Sequence, residues 1–290
     1  MKILLAVDAS PDSKNAARMV RHFADPAMLD VLNVVDEDAL KHAYISPEMP
    51  AGYLEAYRKD VSEAAERVLH EMKQDLAEVC PHIRLIADTG DAAESILETA
   101  EESGSDLIIV GQRGMTATPS FLLGGVSQKV ATYASCSVLV TKESVEKLDR
   151  ILVAVDGSDA SHKAVTFLLR HPFKGPLRVT VVTVWPQREG EVLGRSPAGH
   201  KKSEFRRVIE HKGEELLDRI ANELKAGPYT VTTELLQGDQ AAVLLDASVR
   251  HQAQMVIVGS RGMKAIKRFL LGSVSEKILV YAACSVLIVR

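Results

Sequence analysis

The sequence predicts an α/β protein of two repeated domains, each a five-stranded parallel sheet flanked by helices. Two observations carry this. The first is a repeat that spans the 290-residue chain. ILLAVDAS at 3–10 returns as ILVAVDGS at 151–158, VGQRGM at 110–115 as VGSRGM at 258–263, FLLGGVS at 121–127 as FLLGSVS at 269–275, and YASCSVL at 133–139 as YAACSVL at 281–287. Asp8 and Asp156, Gly90 and Gly238, Gly111 and Gly259, and Cys136 and Cys284 each lie 148 positions apart, so one unit is fused head to tail with its copy. The second observation is that short apolar runs alternate with amphipathic stretches within each copy. Such alternation implies a parallel sheet with helices on both faces, joined by right-handed crossovers. The domains are expected at 1–144 and 149–290. The polar stretch Thr141–Asp149 (TKESVEKLD) between them has no Pro or Gly and is too short for independent units on a tether, so the halves are expected to pack together.

The elements follow in order. Ile3–Asp8 and Ile151–Asp156 are apolar, partly β-branched runs that end at Asp, as suits a strand buried on both faces. Ser10-Pro11 and Ser158-Asp159 then open helices, because Ser caps an N-terminus and Pro or Asp suits the first turn. Strand two is expected at Asp30–Val35 and Val179–Val184, followed by irregular loops at 36–51 and 186–199. A long amphipathic helix comes next, about 52–79 and 200–226. Strand three is expected at Ile83–Ala87 and Thr230–Leu235. Gly90-Asp91 and Gly238-Asp239 start helix three. Strand four is expected at Asp106–Val110 and Met255–Val258, and strand five at Ser137–Val140 and Ser285–Val289. Between those last strands lies a glycine-containing loop, then helix four from about Ser273 in the second copy. In open sheets of this kind ligands bind beyond the carboxyl ends of the strands, where strand order reverses.

Composition excludes several classes. Hydrophobic residues make up 46% and charged residues 26%, ordinary for a globular core and unlike a disordered chain. Only 4% is aromatic, so aliphatic side chains must supply that core. The formal charge is −4 and the pI about 6.2, which gives no long-range pull toward nucleic acid or anionic lipid. No run approaches the ~18 apolar residues of a membrane span. The opening MKILLAVD is cut short by Asp8 before it could serve as a signal-peptide core. Three cysteines, Cys80, Cys136 and Cys284, cannot build a disulfide framework; Cys136 and Cys284 read as small apolar packing before strand five. The expectation is a cytoplasmic protein.

The functional signal is Gly259-Ser-Arg-Gly262, nine residues, then Gly272-Ser273, after a strand and before a helix. The chemistry it suggests is phosphate binding. Glycine lacks a Cβ, so a phosphate can come close to backbone N–H groups. The free N–H groups and positive dipole end of the following helix face the same place. Ser273 and Ser275 add hydroxyls and Arg261 a cation. This Gly-x2-Gly-x9-Gly-Ser/Thr pattern resembles the nucleotide-binding motif of universal stress proteins. The resemblance covers the whole chain twice, including Asp8–Ser10, Asp156–Ser158 and the closing CSVL strands. It implies a Rossmann-like sheet of order 3-2-1-4-5 and bound ATP, with Mg²⁺ left open. By that resemblance the Asp after strand one (Asp8, Asp156) lies near ribose, phosphates or their metal. The backbone at the end of strand two (Val34, Val184) touches adenine. The glycines with the following Ser, Val and Ser (Gly259, Gly262, Gly272, Ser273, Val274, Ser275) hold ribose and phosphates. The residues themselves also permit plainer roles: Asp8 and Asp156 as turn carboxylates, Arg113 and Arg261 as solvated loop charges.

The second copy matches the motif in full. The first has Gly111, Gly114 and Gly124, followed by Gly125, Val126 and Ser127, so glycine stands where Ser or Thr is expected. Its loop MTATPSFLL, with Pro119, also lacks counterparts to Lys264, Lys267 and Arg268. A missing hydroxyl costs about 1 kcal/mol, several-fold in affinity. The second site is therefore expected to bind ATP, and the first to bind more weakly or not at all. Gly199-His200-Lys201 departs from a P-loop, no histidine pair has metal-ligand spacing, and no G-x-S-x-G elbow is present. Lys201, Lys202, Arg206 and Arg207 lie among Glu204 and Glu210 and read as a salt-bridged helix face. The reading that results is an ATP-binding, nucleotide-responsive stress regulator with unidentified protein partners, its two halves forming an intramolecular pseudo-dimer about strand five, with homodimerisation open. A stress interaction module without nucleotide and a slow ATPase or nucleotidyl-transfer enzyme are the alternatives.

Overall fold

A computed structural model describes residues 1–36, 52–115, 122–185, 199–262 and 271–290. The chain divides into two compact units, Met1–Glu146 and Lys147–Arg290.

In the first unit β1 (Lys2–Ala6) is flanked on one side by β2 (Met28–Val35) and β3 (Ile83–Thr89), and on the other by β4 (Leu107–Gly111) and β5 (Ser137–Thr141). The order is β3-β2-β1-β4-β5 and every pairing is parallel. The second unit repeats this with β6 (Arg150–Ala154), β7 (Leu177–Trp185), β8 (Tyr229–Gln237), β9 (Met255–Gly259) and β10 (Ser285–Val289), in the order β8-β7-β6-β9-β10. This is the doubly wound Rossmann-like order expected. Chain direction across the sheet reverses between β1 and β4, and between β6 and β9, and the crevice of such folds lies there.

The helices are α1 (Pro11–Val20), α2 (Tyr53–Leu76), α3 (Ala92–Ser103) and α4 (Gly125–Tyr133) in the first unit. The second has α5 (Asp159–Arg170), α6 (Gly199–Leu224), α7 (Gln240–Arg250) and α8 (Ser273–Tyr281). Central strands are apolar on both faces because helices cover both: Ile3, Leu4, Leu5, Ile108, Ile109, Leu152, Val153, Val256 and Ile257 are buried. The outer strands β3 and β8 alternate between half-buried and exposed residues, as an edge does when one flank meets water.

Strands one stop earlier than the sequence suggested. β1 ends at Ala6 and β6 at Ala154, two residues before Asp8 and Asp156. One more backbone bond continues each ladder, from Val7 N–H to the Leu32 carbonyl (2.8 Å) and from Val155 N–H to Val182 (2.9 Å). The aspartates then sit in the turn, free of the pleat. At the opposite end of the sheet the carboxylate of Asp30 is fully buried in β2. It accepts two hydrogen bonds from Arg84, 2.9 and 2.7 Å, with Lys2 Nζ 3.9 Å away. The irregular loops expected at 36–51 and 186–199 fall almost wholly outside the described residues.

Candidate functional site

Each unit assembles the same turn at its switch point. Asp8 Oδ1 accepts the Ser10 N–H (2.9 Å), closing an Asx turn, and Ser10 Oγ caps α1 by accepting the Ser13 N–H (3.1 Å). Asp156 Oδ1 accepts from Ser158 N–H (2.9 Å), and Ser158 Oγ caps α5 through Ser161 N–H (3.2 Å). The turn after strand four is stitched to this corner. Ser10 Oγ donates to the Arg113 carbonyl (3.3 Å) and Ser158 Oγ to that of Arg261 (3.5 Å). In the first unit Asp8 Oδ2 also accepts the Met115 N–H at 2.9 Å. Asp8 and Asp156 therefore are turn carboxylates, each with one oxygen committed to the adjacent turn.

The glycines do something the sequence reading did not assign to them. A Cβ on Gly111 would stand 2.7 Å from the Asp12 backbone carbon, and one on Gly259 2.5 Å from that of Ala160. A Cβ on Gly114 would be 2.8 Å from Asp8 Oδ2, and on Gly262 2.7 Å from Asp156 Oδ2. On Gly124 it would meet the Gln112 carbonyl oxygen at 3.1 Å, and on Gly272 the Arg261 Cα at 3.4 Å. The missing side chains thus make room first for the protein's own backbone and carboxylates, closing the loop on the first turn of α1 or α5. Gly124 N–H bonds to the Gln112 carbonyl, and Gly272 N–H to that of Ser260, 2.9 Å each.

The serine hydroxyls divide. Ser127 Oγ donates to the Gly111 carbonyl (2.6 Å) and Ser275 Oγ to Gly259 (2.7 Å), both from buried side chains. Read from the sequence as a donor toward ligand, Ser275 instead anchors the helix start to the end of strand four. Ser273 is exposed at the first residue of α8, and Val274 beside it is half-buried. In the first unit Gly125 and Val126 are exposed at the same place.

The helices that follow strand four differ from their neighbours. α1, α3, α5 and α7 each have a side-chain cap, from Ser10, Asp91, Ser158 and Asp239. α4 and α8 open on Gly124 and Gly272 with no side-chain cap, as α2 opens on Gly52. Among the described residues no side chain therefore satisfies the first N–H groups of α4 and α8. Asp91 is held below the ordinary carboxylate range, chiefly by the backbone hydrogen bond from Glu94; burial opposes this, and Lys129 of α4 at 3.3 Å adds to the lowering.

Val34 and Val184 are equivalent in the fold. Each lies one residue before the position (Val35, Trp185) whose carbonyl accepts the N–H of Gly90 or Gly238, 3.0 and 3.1 Å. The Val184 carbonyl also accepts a 3.4 Å bond from Gln240 Nε2.

The two units part company at the arginine. Asp12, on the first turn of α1, accepts the Arg113 backbone N–H at 3.1 Å and stands 3.5 Å from Arg113 Nε. The matching position in the second unit is Ala160. Arg261, half-buried as a residue, has its Nε buried there with no hydrogen-bond partner among the described residues. Asp12 and Ala160 lie outside the glycine motif, and only comparing the two copies column by column would have singled them out. Lys264, Lys267, Arg268 and Pro119 lie outside the described residues. Among the described residues no group of three or more His, Cys, Asp or Glu is placed to hold a metal ion, and no helix is long and apolar enough to cross a membrane.

This geometry recurs twice, and so does the family match. The model of the universal stress protein family matches residues 1–142 and again 147–290. The chain belongs to the universal stress protein family. It is a tandem two-domain member. A universal stress protein of Mycolicibacterium smegmatis is 26% identical over 298 residues, covering 99% of this chain and 96% of that one. One from Bacillus subtilis is 30% identical over 145 residues, 49% of this chain and 98% of its own length, so a whole relative corresponds to half of this chain. The crystal structure of a universal stress protein from Archaeoglobus fulgidus matches with a TM-score of 0.64 and 21% identity, covering 100% of this chain and 98% of that chain. That likeness shows the shared fold.

Proposed function

We propose that this universal stress protein is a nucleotide-responsive stress regulator whose second domain binds ATP. The observation that carries the reading is the combination at the start of α8. Helix α8 opens on Gly272 with no side-chain cap, Ser273 at its first position is exposed, and Arg261, whose Cα would lie 3.4 Å from a Cβ on Gly272, has a buried Nε with no hydrogen-bond partner among the described residues. Buried guanidinium N–H groups are normally bonded, and an anion at a helix N-terminus satisfies the donors and the dipole together. The residues present fit the group that the family resemblance implies. Ser273, Val274 and Ser275 would offer backbone N–H groups, Ser273 its hydroxyl and Arg261 its guanidinium to the phosphates. The end of β7 around Val184 would meet the base. Asp156 uses Oδ1 in its Asx turn and its Oδ2 takes no hydrogen bond among the described residues, and Mg²⁺ held by one carboxylate plus phosphate oxygens is an ordinary arrangement. Bound ATP would supply charge and bulk at this corner. It would act on partners only so far as it prefers one conformation of the protein over another.

Isothermal titration of the full chain with ATP tests the reading. One high-affinity site is expected, with Ser273→Ala weakening it several-fold. No heat and no retained nucleotide at millimolar ATP would refute it and leave the interaction-module alternative standing.

A further inference from the structure

We propose that Asp12 is a built-in anion which occupies the phosphate loop of the first domain, and that Ala160 in its place is what opens the second domain to a polyphosphate. The inference rests on the reading of the second domain as a nucleotide site, and it names the determinant that separates the two halves.

Asp12 already does what a phosphate oxygen would do there. Its Oδ2 accepts the backbone N–H of Arg113, a member of the Gly-x2-Gly turn, and pairs with the same residue's Nε. It also sits in the first turn of α1, where an acidic side chain is favoured by the helix dipole. The carboxylate side chain is 17% exposed and the arginine 39%, so the pair sits at the rim of the corner, where solvent screens it in part. A triphosphate entering this corner would have to break that pair or lie beside a carboxylate of like charge.

The second domain keeps the backbone and drops the charge at this position, the carboxylate of its first helical turn standing instead on the neighbouring, exposed Asp159. The backbone of position 160 presses on Gly259 as that of position 12 presses on Gly111, through the carbonyl carbon and oxygen in both cases. The corner is therefore built alike while the side chain is a methyl group. The consequence is local: Arg113 has its acceptor from within, and Arg261 Nε, buried, has none among the described residues. Gly125 in place of Ser273 also separates the halves, but it removes one hydroxyl, whereas Asp12 adds an opposing charge at the arginine.

The test uses the full chain and counts sites by equilibrium dialysis with labelled ATP, alongside titration with adenosine, which has the base and no phosphate. Asp12→Ala and Asp12→Asn are each expected to raise first-domain ATP affinity at least tenfold, bringing the count toward two. Asn matters because it removes the charge and keeps an acceptor. Ala160→Asp is expected to weaken second-domain ATP binding at least tenfold while adenosine affinity and the unfolding midpoint stay as in wild type. A merely structural role for these positions would move adenosine binding or the midpoint with ATP. The proposal is overturned if wild type binds ATP and Ala160→Asp binds it equally, or if Gly125→Ser alone restores the first site while both Asp12 variants do nothing. If wild type binds neither ATP nor adenosine, the nucleotide reading of the second domain fails. A gain of ATP binding in the Asp12 variants would then still support the role of the carboxylate, and no gain would overturn both.

Discussion

Replacing Gly259 by alanine is expected to destabilise the second domain without touching any ligand. The new methyl carbon would stand 2.5 Å from the Ala160 carbonyl carbon, 2.6 Å from its oxygen and 2.8 Å from the Ser161 nitrogen. All three are backbone atoms at the start of α5, so no side chain can swing aside. The strand cannot yield either, because β9 is paired on both sides, with β6 and β10. Relief requires α5 to lift from the sheet, which loosens the packing of its buried Ala164, Val165 and Leu168. Overpacking of a tight site costs about 1–3 kcal/mol, and three backbone contacts at once place this change at about 2–3 kcal/mol. For a domain of this size that lowers the melting temperature by about 5–10 °C. The single tryptophan of the chain, Trp185, ends β7 in the second unit, so its fluorescence through a urea titration reads this domain alone. Gly125→Ala is the control, followed by calorimetry. Nothing lies within 4 Å of its added carbon, so the first-domain transition should stay within about 0.5 kcal/mol of wild type. An unchanged Trp185 midpoint in Gly259→Ala would refute the reasoning. The corollary is practical: nucleotide loss in a variant at Gly111 or Gly259 reports a damaged scaffold, and tests of the site belong at Ser273, Arg261 and positions 12 and 160.

Three further outcomes follow from the polar clusters. Glu234 would be raised by burial, but hydrogen bonds and charge from His251 and Arg250 hold it below the ordinary 4.5. A carboxyl group depressed in the fold contributes stability above its unfolded value and loses it as pH falls through the folded one. Glu234→Gln should therefore remove part of the acid slope of the Trp185 midpoint below about pH 4.5, and an identical slope would count against the cluster. Burial pushes Tyr229 up to about 12, and its hydroxyl donates to the Leu168 carbonyl. Its neutral form is favoured in the fold, so its contribution is complete below pH 10 and is lost as pH rises toward 12. Tyr229→Phe should cost about 1 kcal/mol at neutral pH and flatten that alkaline loss. Arg84→Met strips the buried Asp30 of its two-pronged partner, leaving Lys2 at 3.9 Å as its one cation among the described residues. A loss of about 2–4 kcal/mol in the first-domain transition, read by calorimetry, is expected for a buried charge left largely unpaired.

Much of the fold was legible because the chain states it twice. Repetition at a fixed spacing separated strand, turn and helix signals from chance, and the caps at Ser10, Asp91, Ser158 and Asp239 follow from residue type and position. What sequence did not give was direction. Apolar periodicity carried strands one through to the aspartates, yet the pleat ends two residues earlier because each carboxylate is used by its own turn. Spacing places Ser275 at a helix start but does not say that its hydroxyl turns inward to Gly259. The equivalence of Val34 and Val184 needed the sheet register, because two extra residues before strand two of the second unit shift the repeat there: Lys2 pairs with Met28, but Arg150 pairs with Arg178.

The glycine motif and the ligand make different demands on the chain, and the two copies separate them. Five of the six motif glycines relieve a close contact with the protein's own backbone or carboxylate, while at Gly272 the nearest atom would be at ordinary contact distance, 3.4 Å. Selection for folding alone would keep those five, whether or not either half meets a nucleotide. Their presence in the first domain is therefore weak support for binding there. Positions 12 and 160, and 125 and 273, are under no such constraint: Gly125 meets nothing within 4 Å, and Asp and Ala both fit the first turn of a helix. Those are the places where a duplicated site is free to diverge, and they do so together. The first domain has an internal anion and no hydroxyl at position 125, while the second has the Ser273 hydroxyl and leaves Arg261 Nε without an acceptor among the described residues. On the function proposed above, the residues that the fold does not need are the ones that decide which half meets the ligand.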